Sequence, residues 1–106
     1  MTGVTGSTSS PSAEAPAPPL GLRVRYFAGA RAAAGVAEET LRLAVPAGGA
    51  VTVGEALTAA VAAHGAQLEQ VVAASSILLD GTAVRDRGAV VADGQELDVL
   101  PPFAGG

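Results

Sequence analysis

One well-marked helix constrains the fold more than any other feature of this sequence. Thr52-Val53-Gly54-Glu55 fits a capping box, in which Thr52 accepts from the Glu55 amide while the Glu55 side chain reaches back to the helix start. Apolar residues at helical spacing follow, and the helix is expected to end near His64, with Gly65 as its stop. Apolar residues in the next stretch predict a shorter amphipathic piece: Leu68, Val71 and Val72.

Segments of alternating apolar and polar residues lie on both sides of this helix. The first runs from Leu22 to Phe27 and predicts a half-buried strand, with two arginines and Phe27 on its outer face. Two early strands, one long helix and three late strands are typical of a single sheet with a helix across one face. We therefore predict an α+β domain whose last strand lies beside its first. The other predicted elements are a short helical piece at 29–35, strands at 40–45, 77–79, 82–84 and 96–100, and turns at Asp80-Gly81 and Asp93-Gly94.

The open face of this sheet is predicted to carry an apolar patch. If Leu97 and Val99 of the last strand face the helix, alternation turns Leu100 outward. Phe27 of the first strand faces the same way, and Ala83 extends the patch. An apolar patch on a polar face indicates a contact with another protein.

The chain is interpreted as one domain, residues 20–100, between two tails. Residues 1–19 are dominated by Thr, Ser, Gly, Ala and Pro. Such a segment cannot bury enough apolar surface to offset chain entropy, so we expect it to be disordered. It lacks the basic start and apolar run of a signal peptide, and the chain has no apolar stretch of membrane-spanning length.

Charge and residue usage exclude several classes of function. The net charge of −4 argues against nucleic acid and favours a partner with a basic surface. The chain has no cysteine, and no metal-ligand spacing or phosphate loop is found. The only histidine, His64, is expected to contact the last helix carbonyls. The late carboxylates are expected in turns or at exposed positions: Asp80, Asp86, Asp93, Glu96 and Asp98.

The sequence ends in a diglycine, Gly105-Gly106, reached through Leu100-Pro101-Pro102-Phe103-Ala104. The two prolines forbid a helix, so residues 101–106 are predicted to form a flexible, extended tail. Glycine has no Cβ, and a diglycine can therefore enter a narrow enzyme channel. Its carboxylate could there be converted into a reactive acyl group.

Three segments together resemble a known family: Val24–Arg31, Asp93–Leu97 and Leu100–Gly106. They are similar to the small subunit of molybdopterin synthase (MoaD), one of the MoaD/ThiS ubiquitin-like sulfur carriers, over residues 22–106. The resemblance implies a β-grasp fold, a mixed sheet with one main helix across one face, and a cytoplasmic location.

The resemblance also implies a way of acting. A ubiquitin-activating-type enzyme uses ATP and Mg²⁺ to adenylate Gly106, a sulfur donor leaves a thiocarboxylate there, and the sulfur passes to a cyclic pterin precursor to form the molybdopterin dithiolene. Gly105 keeps the approach unhindered. The large subunit, in an expected heterotetramer, supplies the catalytic side chains. It would bind six residues: Phe27, Ala83, Leu100, Pro101, Pro102 and Phe103. No permanently bound cofactor, nucleic acid or membrane is implied.

Three alternatives stay open. The chain could be a sulfur carrier for thiazole or cysteine synthesis, a ubiquitin-like modifier joined to target lysines, or a β-grasp binding module with an inert end. Pro101-Pro102 and Tyr26-Phe27-Ala28 favour the molybdopterin branch. All six basic residues are arginine, so the chain has no lysine that could accept an isopeptide bond from another copy.

Overall fold

The protein consists of a mixed β-sheet with helices packed on one of its faces. The computed structural model describes residues 18–102. In chain order its elements are β1 (Leu20–Tyr26), α1 (Ala28–Ala34), β2 (Glu38–Leu43), β3 (Val51–Thr52), α2 (Val53–His64), α3 (Ala66–Ala74), β4 (Ser76–Leu79), β5 (Thr82–Ala83), β6 (Val90–Val91) and β7 (Glu96–Leu100).

The main sheet has the strand order β2-β1-β7-β4-β5. Strands β1 and β7 run parallel at its centre, with Val24 opposite Leu97 and Tyr26 opposite Val99. The other neighbouring strands are antiparallel. The structure therefore confirms that the last strand lies beside the first.

The helices and the covered face of the sheet enclose an aliphatic core. Its largest fully buried side chains are Leu22, Val24, Val53, Leu68, Leu97 and Val99. Burying one such side chain contributes roughly 1.5–3 kcal/mol. Only 3% of the residues are aromatic. Among the described residues Tyr26 is the one aromatic side chain buried in this core, and the others are Leu, Ile, Val and Ala.

Local sequence signals place the ends of these elements. Thr52 Oγ1 accepts from the Glu55 amide at 3.2 Å, and the Thr52 amide donates to Glu55 Oε1 at 2.9 Å, so the predicted capping box is present. The β4–β5 turn has φ +48° at Asp80 and +83° at Gly81, the left-handed pair that a tight hairpin requires. Helix α2 ends at His64, and α3 begins directly after Gly65, which has φ +105°.

The largest differences from the predicted elements concern the second strand and a second small sheet. The second strand spans Glu38–Leu43 rather than 40–45. A separate two-stranded sheet pairs β3 with β6, placing Val51 opposite Val91. These strands have two residues each, too few for alternation to reveal them. Among residues 18–102, no helix is both long and apolar enough to cross a membrane.

Candidate functional site

The face of the sheet opposite the helices carries the candidate docking surface. Phe27 follows β1 with φ −119° and ψ 151°, so the backbone stays extended and the alternation of β1 continues. Its amide donates to the Val99 carbonyl at 3.2 Å, which puts Phe27 beside Leu100 on this face. Phe27 is 38% exposed, and Leu100 is half-buried.

Ala83 lies on the same face but in a different row. It is exposed and pairs with Leu78, which in turn lies opposite Asp98. Leu78 is half-buried and is an apolar member of this face that sequence reasoning missed. The hairpin was predicted, but its register against β7 sets which of its residues face outward.

An ion pair lies at the centre of this face. Arg25 Nε donates to Asp98 Oδ1 at 2.8 Å, and Nη2 donates to Oδ2 at 2.9 Å. Hydrogen bonding to Asp98 is the largest influence on the pKa of Arg25 and raises it. The negative charges of Asp98, Glu96 and Glu38 raise this pKa further. The expectation that Asp98 lies exposed is wrong: it is 5% exposed, because Arg25 covers and pairs it.

Further charges extend from this pair toward β2. Arg23 Nη2 lies 3.4 Å from Glu38 Oε2, and its Nη1 lies 3.8 Å from Glu96 Oε2. Glu96 Oε2 also lies 3.4 Å from Arg25 Nε. One part of the open face is thus charged and internally paired, and the part around Phe27 and Leu100 is apolar.

A polar cluster closes the core at the end of α2. Glu39 Oε2 accepts from the Tyr26 hydroxyl at 2.5 Å and lies 2.7 Å from His64 Nε2. The Tyr26 and His64 rings meet edge to face at 5.9 Å. The prediction that His64 contacts the helix carbonyls is therefore wrong, because its partner is a carboxylate from β2. Burial raises the pKa of Tyr26 above its usual range, and the bond to Glu39 raises it further.

The chain leaves β7 through Pro101, which is half-buried, and Pro102, which is exposed; neither belongs to a helix or strand. Phe103, Gly105 and Gly106 lie outside the described residues, as does nearly all of the predicted 1–19 tail. Within the described part of the chain, no cluster of three or more His, Asp or Glu residues could hold a metal ion.

A family model settles the relationship of this chain. The model for the ThiS family matches residues 24–106, which include the end of β1, the whole of β7 and the terminal segment. The chain belongs to the ThiS family. No curated protein matches it.

Solved structures agree with this assignment. SAMP1 from Haloferax volcanii is 34% identical, with a TM-score of 0.67 over 81% of this chain and 99% of that one. A putative molybdopterin converting factor subunit 1 from Pyrococcus furiosus is 27% identical, with a TM-score of 0.66 over 79% and 99%. A complex of subunits 1 and 2 of the molybdopterin-converting factor from Helicobacter pylori matches at 21% identity and a TM-score of 0.53, over 82% and 100%, and shows the fold.

This ThiS-family chain therefore has the β-grasp, ubiquitin-like fold that the resemblance implied. It belongs to a group that contains sulfur carriers and ubiquitin-like modifiers. Both kinds of protein share the fold, so the fold by itself does not separate them.

Proposed function

We propose that this chain is the sulfur-carrier small subunit of molybdopterin synthase, with Gly106 as the residue that carries the sulfur. One observation supports this most strongly. The pairing of β1 with β7 sets Phe27 beside Leu100, the residue from which the chain leads through two prolines to the diglycine. An exposed apolar anchor therefore lies directly where the reactive tail leaves the sheet.

The comparisons support the pathway. The Pyrococcus furiosus relative is described as a putative molybdopterin converting factor subunit 1, and the Helicobacter pylori relative is in complex with subunit 2 of that factor. By analogy, the partner of this chain is the large subunit of molybdopterin synthase, in a heterotetramer. The open face would dock on it while the tail enters its active site.

The proposed chemistry takes place at the terminal carboxylate in three steps. The Gly106 carboxylate attacks the α-phosphate of ATP, forming an acyl-adenylate and releasing pyrophosphate, on an activating enzyme that uses Mg²⁺. A sulfur donor then displaces AMP and leaves a thiocarboxylate. On the large subunit, this sulfur is transferred to a cyclic pterin precursor, and water restores the carboxylate.

The residues of this chain present the carboxylate rather than catalyse the reaction. Pro101 and Pro102 restrict the tail and so reduce the conformational entropy lost when it enters the partner. Gly105 gives the partner close access to the backbone. Apolar contact area for the large subunit would come from four residues: Phe27, Ala83, Leu100 and Phe103. A cytoplasmic location, where the activating enzyme would act, belongs to the same proposal.

Intact-mass spectrometry tests the sulfur-carrier assignment directly. The chain is incubated with a ubiquitin-activating-type enzyme, ATP, Mg²⁺ and a sulfide donor. We expect a mass gain equal to one oxygen replaced by sulfur, located at Gly106 by fragmentation. A variant lacking Gly106 is the matched control and should show no gain. An unchanged mass of the intact chain under conditions that convert a known carrier would contradict the proposal.

Complementation tests the pathway. Cells lacking their own small subunit should regain molybdoenzyme activity with the intact chain, but not with a chain lacking Gly106 or extended by one residue. Both variants should keep the fold, because the tail lies beyond β7. Activity restored by the truncated chain would refute sulfur transfer from Gly106.

A second candidate function is protein modification. It is supported by the 34% identity to SAMP1 from Haloferax volcanii, which is named as a small archaeal modifier protein. In that case Gly106 would be joined to lysines of target proteins. Blotting cells that express a tagged chain for slower-migrating conjugates distinguishes this function. Conjugates that disappear on deletion of Gly106 would support it, whereas their absence alongside a thiocarboxylate would favour the carrier.

A further inference from the structure

Asp98 is the one buried charged residue among those the structure describes. It lies on the face that the helices leave uncovered, where a carboxylate would be expected to stay in water. Its two oxygens accept from Nε and Nη2 of Arg25 at 2.8 and 2.9 Å. A bidentate pair of this kind fixes the plane of the guanidinium as well as its position.

The same guanidinium contacts the Phe27 ring. Arg25 Cζ lies 5.4 Å from the centre of that ring, within the range of a cation–π interaction. The two residues are adjacent on the outward side of the extended segment, and Phe27 is 38% exposed. Asp98 therefore orients Arg25, and Arg25 lies against the ring.

Stability does not by itself explain this arrangement. Arg25 keeps 40% of its side chain exposed, and half-exposed ion pairs add little to the free energy of unfolding. Burying the Asp98 carboxylate also has a desolvation cost. Its attraction to the Arg25 guanidinium compensates for this cost and leaves little net stabilisation. A ring held in one orientation before binding, however, loses less conformational entropy when a partner covers it.

We propose that Arg25 and Asp98 form a positioning unit, which holds the Phe27 ring in the orientation that the large subunit binds. This inference rests on the proposed function, since it takes Phe27 as the docking anchor. Arg25 is a positioning residue here: it sets affinity through Phe27.

A double-mutant cycle with Phe27 tests the coupling. The probe is the large subunit of molybdopterin synthase, and the readout is the dissociation constant by calorimetry. Arg25→Met keeps an unbranched side chain but removes the guanidinium, and we expect it to weaken binding about tenfold. In a Phe27→Leu background, which lacks the ring, Arg25→Met should change the affinity by less than about twofold.

Two further variants separate positioning from other effects. Arg23→Met is the matched control: it lies on the same strand and face and pairs with Glu38 and Glu96, but it should leave affinity almost unchanged. Arg25→Met combined with Asp98→Ala removes the carboxylate that the single variant leaves unpaired. Binding should stay weak in this combination, and full recovery would overturn the proposal.

Fluorine NMR observes the ring without any partner. The chain contains two phenylalanines, so 4-fluorophenylalanine labelling gives two signals, and Phe27→Leu assigns them. We expect Arg25→Met and Asp98→Asn to move the Phe27 signal toward its value in the denatured chain, and Arg23→Met to leave it in place.

The possible outcomes are distinguishable. A Phe27 signal unaffected by Arg25→Met, or an affinity loss equal with and without the ring, overturns this inference and leaves the proposed function intact. Failure of the unaltered chain to bind the large subunit instead overturns the proposed function, and with it the docking role assigned to the pair.

Discussion

The two faces of the sheet are formed by alternate residues of the same strands, but one face is buried and aliphatic and the other is charged and partly exposed. On the covered face, Leu22, Val24, Leu97 and Val99 are fully buried and contact the helices as part of one core. On the uncovered face, the alternate positions of the same segments carry charges and, at Phe27, an exposed aromatic ring. In Leu97-Asp98-Val99 the two faces therefore interleave residue by residue.

This difference indicates where the chain can change without losing its fold. The covered face contributes to the free energy of unfolding through the burial of aliphatic side chains, so changes in side-chain volume there should alter stability. The open face derives little from its charges, most of which remain partly exposed. Substitutions on the covered face should therefore lower stability, whereas substitutions on the open face should mainly alter binding.

The largest effect is expected from Leu97→Ala, which removes a fully buried side chain from the central strand. We expect a loss of about 3 kcal/mol in the free energy of unfolding, from lost burial and the cavity left behind. Urea denaturation measures it. Leu100→Ala, on the same strand but on the open face, is the control and should cost clearly less. Equal losses would remove the distinction between the faces.

The next largest effect is expected from Phe27→Asp. We expect affinity for the large subunit to fall by about 2 kcal/mol, near thirtyfold, because a charge replaces the apolar anchor. The urea midpoint should barely change, since surface substitutions usually cost little. Val90→Asp is the control, because Val90 is an exposed apolar residue of β6, outside the main sheet. An unchanged dissociation constant for Phe27→Asp would remove the patch from the docking surface.

A third prediction concerns the polar cluster within the covered face. The pKa of Tyr26 is raised above its ordinary value of 10.0, chiefly by burial. The neutral phenol is thus favoured in the folded state, so its contribution to stability is full below about pH 10 and is lost as pH rises toward the higher folded value.

The measurement is simple because Tyr26 is the only tyrosine and the chain has no tryptophan. The phenolate absorbance of the folded protein should stay low at pH values that ionise the denatured chain. Tyr26→Phe should cost about 1.5 kcal/mol at neutral pH, through loss of the bond to Glu39. The Tyr26→Phe variant has no phenol to ionise, so its free energy of unfolding should lack the decrease above about pH 10 that Tyr26 causes in the unaltered chain. Ordinary titration of Tyr26 near pH 10 would contradict the structure.

Most of the fold could be predicted from two local signals, the alternation of apolar and polar residues in the strands and the capping box of the helix. The period-two pattern of 22–27 and 96–100 placed both central strands, since it selects the side of the sheet that is buried. The Thr52–Glu55 capping box gave the start of α2, and Asp80-Gly81 gave the hairpin. These signals are local, and the helix and turn that they specify need no distant partner.

The sequence could not show which residues meet across the sheet. The pairing of Arg25 with Asp98 spans 73 positions, and that of His64 with Glu39 spans 25. Each depends on the register between elements, which no single segment encodes. The sequence therefore predicted Phe27 and Leu100 as neighbours from alternation, but missed the ion pair between the same two strands.

The smallest effect tests whether the covering helix is stabilised by its cap as well as by its core contacts. Thr52→Ala removes the acceptor for the Glu55 amide and should cost about 1 kcal/mol in the free energy of unfolding. Thr58→Ala is a matched control in the same helix. Thr58 is exposed and donates only to the Gly54 carbonyl one turn earlier.

Because alanine favours a helix interior more than threonine does, Thr58→Ala should be neutral or slightly stabilising. The two substitutions are chemically identical, so a difference in sign isolates the cap from the side chain itself. Neither should change affinity for the large subunit, since the helix lies behind the sheet. If Thr52→Ala weakened binding as much as it lowered stability, the covered side would also contribute to docking.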